Sequence, residues 1–372
     1  MPLKIIHTAD WQIGKPFKNF AGDQAARLRV QRIATVNTIA KLAVSRDVDA
    51  VLVAGDVFDS QAVSDDTLRR TINAMQAFSG DWVLLPGNHD AALAESVWTR
   101  LQRLAIVSAN IHLALSPEPI DLRAGRLRIL PAPLQRKQES KDLTHYFDAD
   151  ISGAEVFRIG LAHGSLENRL PPGAEQHNMI ADDRCERARL DYMALGDWHG
   201  VLEIGEASWY AGTPEPDRFR NNQSGNVVLV ELTKPGAKPA VEIVPVGHFH
   251  WQELEAEINI AADLDVLAGR LAQLGEAARQ VVRLRLSGAV DMCNRAELMQ
   301  LVDDWRARFH YLDLNLTELH AKPSAEDIQQ LASSGFVADA LEQLLRVQDD
   351  SSDPDHEYVE PAIELLYQEF DR

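Results

Sequence analysis

The chain of 372 residues contains only two cysteines, Cys185 and Cys293, which lie far apart. They have neither the spacing of a thiolate metal site nor that of a disulfide framework, so we expect two reduced structural thiols. No apolar run approaches the roughly 20 residues that a membrane-spanning helix requires. The N-terminus also lacks the basic region, apolar core and cleavage site of a signal peptide. These absences predict a cytoplasmic protein without a membrane partner.

Basic residues are in deficit, because 37 lysines and arginines face 56 acids and the net charge is −19. This charge argues against binding nucleic acid through the overall field of the protein. The excess of acidic residues is unevenly distributed along the chain, since residues 339–372 carry eleven acids against two arginines. Small basic groups remain elsewhere, for example Arg218 with Arg220. Contact with nucleic acid at a local site is therefore compatible with the composition.

Apolar strand-like runs alternate with helical stretches in the first hundred residues, and short strands dominate from about residue 111. Runs such as "DAVLVAGDV" are apolar on both faces, which is typical of strands covered by other layers on each side. The rhythm predicts an α/β fold with two mixed sheets packed together and helices outside, over residues 1–246. A small αβαβ module is expected over residues 247–322. Residues 323–372 are expected to hold a helix near Ser324, an acidic link and a short amphipathic helix that ends near Phe370.

Five segments place polar side chains directly after an apolar strand and beside glycine. Carboxylates, amide oxygens and imidazoles in one set suit divalent manganese, iron or zinc better than calcium or a thiolate site. Each segment is weak evidence alone, but five of them at the same end of predicted strands indicate a metal centre. The segments are Asp10-Trp11-Gln12, Gly55-Asp56-Val57-Phe58-Asp59, Gly87-Asn88-His89-Asp90, His163-Gly164 and Gly196-Asp197-Trp198-His199.

The ordered series of these segments resembles the calcineurin-like metallophosphoesterase superfamily, and within it the branch of SbcD-type DNA repair nucleases. "HTADWQIGKPF" is similar to the opening of that branch, and "AGDVFDS" to its second motif. "SWYAGTPEPDRF", residues 208–219, is similar to its segment beyond the last ligand. The resemblance covers roughly residues 1–320. It implies a four-layer αββα sandwich with a small αβαβ cap domain.

The resemblance also implies a centre of two divalent metal ions, with His89 as the catalytic residue that faces the phosphate. His89 would protonate the leaving oxygen or stabilise charge on the phosphoryl oxygens. Asp59 either orients a ligand or caps the end of its strand. The first ion would be held by Asp10, Gln12, Asp56 and His199, and the second by Asp56, Asn88, His163 and Asp197.

Two positions depart from the family pattern, because Gln12 and Asp197 stand where most relatives have histidine. A glutamine oxygen is a weaker neutral donor than imidazole, and it either coordinates or hydrogen-bonds a metal-bound water. Asp197 adds a negative charge at the second ion. We therefore predict a looser first ion, a tighter second ion and a preference for Mn²⁺ over Zn²⁺. Loss of the metal centre, which leaves a scaffold of the same fold, is the alternative.

The metal centre implies phosphoester hydrolysis, and the substrate depends on the residues around it. Loop residues beside the ligand segments are predicted to stack on bases or contact phosphates, although packing of the site's rim is the alternative for each. They are Trp11, Lys15, Phe17, Tyr210 and Arg218. The favoured function is a Mn²⁺-dependent repair nuclease that cuts single-stranded DNA internally, and 3′–5′ exonuclease activity on duplexes is a second, less favoured reaction.

Two other functions are compatible with the same residues. One is a phosphatase or a small-molecule or cyclic-nucleotide phosphodiesterase on the same core, and the other is a non-catalytic scaffold. The resemblance further implies a homodimer and an SbcC-type ATPase partner. The C-terminal helix, residues 363–370, either docks on that partner or packs on the cap.

Overall fold

The computed structural model describes residues 2–171, 176–220, 222–321, 335–349, 353–359, 361–363 and 365. The chain divides into two compact units, residues 1–250 and 251–372. Cys185 and Cys293 are free thiols. Within the described ranges, no helix has the length and hydrophobicity that crossing a bilayer requires.

The described part of the first unit contains twelve strands and four α-helices. The strands are β1 (Leu3–Thr8), β2 (Ala50–Val53), β3 (Asp81–Leu84), β4 (Ile111–Leu113), β5 (Ile120–Leu122), β6 (Leu127–Ala132), β7 (Phe157–His163), β8 (Tyr192–Gly196), β9 (Leu202–Glu203), β10 (Ser208–Tyr210), β11 (Asn226–Leu232) and β12 (Ala240–Pro245). The helices are α1 (Gly22–Ser45), α2 (Asp65–Met75), α3 (Val97–Leu104) and α4 (Arg184–Arg187).

The strands form two mixed sheets of six. The first has the order β12-β11-β1-β2-β3-β4, and β1 to β4 run parallel while β11 pairs antiparallel with both neighbours. The second has the order β5-β6-β7-β8-β10-β9, with a parallel centre from β6 to β10. The edge strands β5 and β9 pair antiparallel with their neighbours β6 and β10. Each sheet thus presents a row of parallel strand ends at one edge.

Side-chain alternation along the strands builds two separate apolar layers on the first sheet. Ile5 and Leu52 point to the layer between the sheets, where they pack with Ile159 of the second sheet. Ile6 and Val51, their neighbours in sequence, point to the layer beneath α1, α2 and α3. This two-residue period explains why the strands are apolar on both faces.

The outer layer on the second sheet is thinner than the helical layer on the first. Phe147, from a 3₁₀ turn at Leu143–Ala149, packs there with Ala188 and Leu190, which follow α4. Leu166 and Ile180 complete this cover from loops. The predicted four-layer order is confirmed, but the described part of the fourth layer is mostly irregular.

The second unit contains a three-stranded sheet with the order β13-β14-β15. Its elements are β13 (His250–Ile258), α5 (Ala261–Ala272), β14 (Gln280–Val290), α6 (Met292–Arg308), β15 (Tyr311–Ala321) and α7 (Gly335–Asp349). Leucines of α5 and Leu298 of α6 pack on Val282 and Leu284 of β14. The predicted αβαβ module is present, with β13 as an additional strand at its start.

Sequence reasoning missed β13 because its segment "HWQELEAEI" is rich in glutamate, and only Ile258 within it is fully buried. The helix predicted near Ser324 falls in 322–334, outside the described residues. The helix predicted to end near Phe370 is described only at 361–363 and 365, where Ile363 packs with Leu341 and Val359.

Candidate metal centre

The candidate site lies where the parallel strands of both sheets end. Loops after β1, β2 and β3 carry Asp10, Asp56 and Asn88, and all three strands belong to the first sheet. In the second sheet β7 ends on His163, and residues 197–199 follow β8 directly. Because carboxyl ends of parallel strands share one edge, each sheet gathers its loops at a single place. Hydrogen bonds between Asp10 and Asp197 join the two edges.

Three buried ligand atoms form the centre of the site. One oxygen each from Asp10 and Asp56 and one ring nitrogen of His163 lie within 4.8 Å of one another. His163 Nε2 is buried without a hydrogen-bond partner, 3.6 Å from Asp56 Oδ1 and 3.8 Å from Asp197 Oδ1. Leaving such an atom unpaired costs about 1–3 kcal/mol. A divalent cation among these groups would supply the missing partner, so the residues fit a metal centre.

The orientation of His163 leaves its Nε2, the nitrogen that faces the carboxylates, without a bond to the protein. Its Nδ1 lies 2.8 Å from the carbonyl oxygen of Ala54, and a carbonyl only accepts, so Nδ1 carries the proton and donates. This bond directs Nε2 at the carboxylates, and a cation bound there would take the lone pair that Nε2 has once its proton is lost. Burial lowers the pKa of His163, but Asp56, Asp10 and Asp197 outweigh this and raise it to about 9. The same negative field that attracts this proton attracts a cation.

Asp10 and Asp197 hold each other's position across the two sheets. The backbone N–H of Asp197 donates to both carboxylate oxygens of Asp10, at 3.2 and 3.3 Å. Ser165 Oγ donates to Asp197 Oδ2 at 3.1 Å. Burial raises the pKa of Asp10 to about 6, and burial also raises the pKa of Asp197. A bound cation offsets this cost by favouring the ionised carboxylates.

His199 is held by a charged group of side chains rather than by the backbone. Its Nδ1 donates to Asp217 Oδ1 at 3.3 Å, which leaves Nε2 as the acceptor nitrogen. Asp217 also accepts from Lys15 at 2.5 Å and from Arg218 at 3.1 and 3.2 Å. Burial raises the pKa of Asp217, but His199, Lys15 and Arg218 hold it well below its ordinary value. Sequence reasoning missed this role of Asp217, since only the fold brings residues 15, 199 and 217 together.

Gln12 lies inside the centre, with its amide oxygen turned away from the ligand atoms. Lys15 Nζ donates to Gln12 Oε1 at 3.0 Å. Gln12 Nε2 lies 3.3 Å from His199 Nε2 and 3.5 Å from Asp56 Oδ2. Coordination by the Gln12 oxygen, one of its two predicted roles, requires this amide to turn over.

His89 stands at the open side of the centre. Its side chain is 39% exposed, and its Nε2 lies 3.9 Å from Asp56 Oδ2. The backbone N–H of His89 donates to Asp56 Oδ1 at 2.9 Å, and its Nδ1 donates to the carbonyl of Asp59 at 2.9 Å. Asp59 therefore orients the imidazole through its backbone, and His89 lines the open cavity beside the centre.

Asp90 is a buried carboxyl that sequence reasoning did not assign. Its two oxygens accept from the backbone N–H groups of Phe58, at 3.0 Å, and Gly87, at 2.7 Å. These bonds tie the loop of Asn88 and His89 to the loop of Asp56. Burial raises the pKa of Asp90 to about 8. The signal in the sequence was its place at the end of Gly87-Asn88-His89-Asp90.

Arg32 of α1 holds the loop after β1 in place through its guanidinium group. This buried guanidinium donates to the carbonyl oxygens of Trp11, Asp10 and Glu215, at 2.7, 3.2 and 2.9 Å. Asp10, Gln12 and Asp56 have positive φ angles of 51°, 43° and 52°. Such left-handed backbone costs about 1–3 kcal/mol per residue and persists only where surrounding contacts enforce it. Strain of this kind typically occurs at functional sites.

The structure corrects three of the predicted substrate contacts. Trp11 is 1% exposed and donates its Nε1–H to Thr8 Oγ1, while Tyr210 is fully buried. Phe17 is 6% exposed and packs edge-on against Phe20. These three rings are buried, so no ring face is open to stack on a base. The prediction of stacking is wrong in this structure, and the burial agrees with packing of the site's rim.

The open side of the centre is a cavity of about 210 Å³. The cavity is lined by the predicted residues Lys15 and Arg218 together with Gln12, Asp56, Asn88, His89, Asp197 and His199. Leu170, His177, Trp198, Arg220 and Asn222 also line it and were not predicted. Three cationic side chains, Lys15, Arg218 and Arg220, therefore border a centre of carboxylates. This combination suits a substrate that is an anion bound to metal ions.

Comparison with known proteins agrees with this chemistry. Residues 3–252 match the family model described as calcineurin-like phosphoesterase. The SbcD component of the nuclease SbcCD from Rhodobacter capsulatus is 29% identical over 317 residues, which cover 72% of this chain and 76% of the relative. The protein of the same name from Escherichia coli K12 is 31% identical over 279 residues, 64% of this chain and 67% of the relative. An uncharacterized metallophosphoesterase of Bacillus subtilis, YhaO, is 26% identical over 71% of this chain and 65% of its own length.

Proposed function

This chain belongs to the calcineurin-like phosphoesterase family, and on that premise we propose that it is a Mn²⁺-dependent DNA nuclease. The family consists of metal-dependent phosphoesterases that use a pair of divalent ions. The observation that carries the proposal is the buried, unpartnered Nε2 of His163 facing Asp56 and Asp197, beside a rim of three cations. Two of the similar proteins are named as nucleases, which supports a nucleic acid as the substrate.

The chain offers ligands for two ions. Asp10, Gln12, Asp56 and His199 would hold the first, and Asp56, Asn88, His163 and Asp197 the second. A pair of divalent cations supplies an activated water and neutralises charge on the entering and leaving oxygens. The carboxylate of Asp197, in place of an imidazole, shifts the donor set toward oxygen and favours Mn²⁺ over Zn²⁺.

His89 acts on the substrate rather than on the metal ions. Its Nδ1–H is held by the Asp59 carbonyl, so the ring is oriented with Nε2 toward the cavity. A protonated Nε2 donates to the leaving oxygen, and the same group stabilises charge that develops on the phosphoryl oxygens. Asp56 accepts the backbone N–H of His89, and this bond fixes the position of His89 relative to the proposed metal ligands.

The cationic rim positions the phosphodiester. Lys15 and Arg218 share the buried carboxylate of Asp217, and Arg220 lines the same side of the cavity. A rim this small binds DNA locally, because the net charge of −19 opposes wrapping of a long duplex. We therefore favour endonucleolytic cuts in single-stranded DNA, with 3′–5′ exonuclease activity as the second expected reaction.

The names of the same relatives support a proposal for the partner, and the assembly and location stay predictions from the sequence. Two of them carry the name of the SbcD component of the nuclease SbcCD. We propose an SbcC-type ATPase as the partner of this chain, a homodimer as its assembly, and the cytoplasm as its location.

A cleavage assay on closed circular single-stranded DNA and on duplex DNA tests the function. We expect nicking of the single-stranded circle with Mn²⁺, weaker nicking with Mg²⁺ and none with chelator. His89→Asn should abolish cleavage, while His145→Asn, a change at an exposed histidine outside the cavity, should not. Hydrolysis of a small phosphodiester without cleavage of any DNA would favour a phosphatase or small-molecule phosphodiesterase. Absence of both reactions, with Mn²⁺ in excess, would favour a scaffold.

A further inference from the structure

Lys15 and Gln12 form a hydrogen-bonded pair inside the candidate metal centre. The Lys15 ammonium lies 3.0 Å from Gln12 Oε1 and 2.5 Å from Asp217 Oδ2. Its side chain is 22% exposed and Asp217 is buried, so the pair is partly shielded from solvent. A charge-assisted bond in this setting is stronger than a neutral one.

The chemistry of lysine decides which way the amide points. An ammonium has three donors and no acceptor, so the Gln12 atom that faces it is the oxygen. The NH₂ group must then face the opposite way, toward His199 and Asp56. The assignment of the amide therefore follows from Lys15 and does not depend on distinguishing oxygen from nitrogen directly.

The other end of the amide meets two groups that can only accept. His199 donates its Nδ1–H to Asp217, so its Nε2 presents a lone pair to Gln12 Nε2 at 3.3 Å. Asp56 Oδ2 is a carboxylate oxygen 3.5 Å from the same nitrogen. The amide thus directs hydrogens at two atoms that would ligate the first ion. A cation cannot bind both atoms while these hydrogens remain between them.

We propose that Lys15 controls occupancy of the first metal position by holding the Gln12 amide in a donating orientation. The second position, formed by Asp56, Asn88, His163 and Asp197, fills first because no amide hydrogen is directed at His163 Nε2, which is buried without a hydrogen-bond partner. The first position fills only when Gln12 leaves Lys15 and turns its oxygen inward. This inference rests on the proposed metal pair and assigns Lys15 as a positioning residue for the metal centre.

Charge alone offers a competing account, because Lys15 also repels a cation. A double-mutant cycle separates the two explanations. Lys15→Met removes the ammonium from the native amide, and Gln12→Met removes the amide. If the amide carries the effect, the lysine substitution matters only when Gln12 is present. Arg218→Met is the matched control, since it removes one cation from the same Asp217 carboxylate.

Isothermal titration with Mn²⁺, on the full chain without DNA, measures the cycle. We expect the wild type to bind one ion tightly and a second roughly tenfold more weakly, the scale on which a ligand's hydrogen-bond partners tune metal affinity. Lys15→Met should tighten the second binding event about tenfold, and Arg218→Met should leave it within about twofold. In the Gln12→Met background, Lys15→Met should change little. Gln12→His, which supplies an imidazole, should tighten the weak event by itself.

Two results would overturn the inference. The first is equal affinity for both ions in the wild type, and the second is the same tightening by Lys15→Met with and without Gln12. Thermal unfolding checks that each variant is folded, and Gln12→His keeps the test open if Lys15→Met does not fold. The DNA assay is independent of this outcome. Cleavage with two equal ions rejects the inference alone, and unequal ions without cleavage reject the nuclease proposal alone.

Discussion

The two sides of the metal centre are held in place by different kinds of contact. On the His163 side, formed by Asp56, Asn88, His163 and Asp197, the imidazole is fixed by a backbone carbonyl within the folded core. On the His199 side, formed by Asp10, Gln12 and His199, the imidazole is fixed by Asp217, which is shared with Lys15 and Arg218. A backbone partner cannot be changed by substitution or screened by salt. The comparison therefore indicates one rigid side and one side that charge and solvent can adjust.

The largest effect is expected where the rigid side is broken. His163→Ala removes the buried nitrogen that faces Asp56 and Asp197. We expect Mn²⁺ affinity to fall by more than the roughly 10- to 100-fold that loss of a ligand's hydrogen-bond partner costs. Titration calorimetry measures this, with His145→Ala as the control at an exposed position. An unchanged affinity of the tighter Mn²⁺ binding event in His163→Ala would show that the His163 side does not hold the tighter ion.

Breaking the adjustable side should produce a smaller, selective effect. Asp217→Asn replaces the carboxylate that orients His199 and pairs with two cations. We expect the weaker Mn²⁺ binding event to lose about 10- to 100-fold in affinity while the tighter event stays unchanged. The measurement is again calorimetry, in low and high salt. Equal losses at both events would mean that the two sides are not independent.

Much of this centre was accessible from the sequence, because a strand followed by a carboxylate and glycine has a local signature. Asp10, Asp56 and His163 were predicted on that basis and lie together in the structure. Asp217 and Arg32 were not assigned, since their roles depend on contacts across 18 to 202 residues of chain. Tyr210 was placed at the wrong surface because position in a motif does not reveal which way a ring points. The individual metal ligands stay predictions until ions are observed.

The pH dependence of stability sharpens the comparison at Asp90, which supports the loops of the first sheet. Burial raises the pKa of Asp90 to about 8, whereas an unfolded chain has a carboxyl pKa near 3.9. The folded protein therefore binds this proton more tightly. The stability that Asp90 contributes is full below about pH 4 and is lost as the pH rises through about 8.

Chemical denaturation with chelator present, from pH 5 to pH 9, measures this effect. We expect the free energy of unfolding to fall across this range in the wild type. Asp90→Asn should flatten the slope, although it weakens one of the two backbone contacts. An unchanged slope in Asp90→Asn would assign the pH dependence to other groups.

The smallest effect is expected at Tyr210, in the interior of the second sheet. Its hydroxyl accepts from Leu166 N–H and donates to the Gly164 carbonyl, both at 2.9 Å. Tyr210→Phe leaves these two backbone groups without that partner and should destabilise the fold by about 1–3 kcal/mol. Because the ring is buried, KM for DNA should stay unchanged. A large rise in KM without loss of stability would restore the stacking role for this residue.

Anomalous diffraction from crystals grown with a series of Mn²⁺ concentrations tests the central claim most directly. The account predicts one strong peak among Asp56, Asn88, His163 and Asp197 at low concentration. A second peak, beside Asp10, Asp56 and His199, should appear at higher concentration with the Gln12 amide turned away from Lys15. Absence of any peak at the strand ends, or two peaks of equal strength throughout the series, would contradict it.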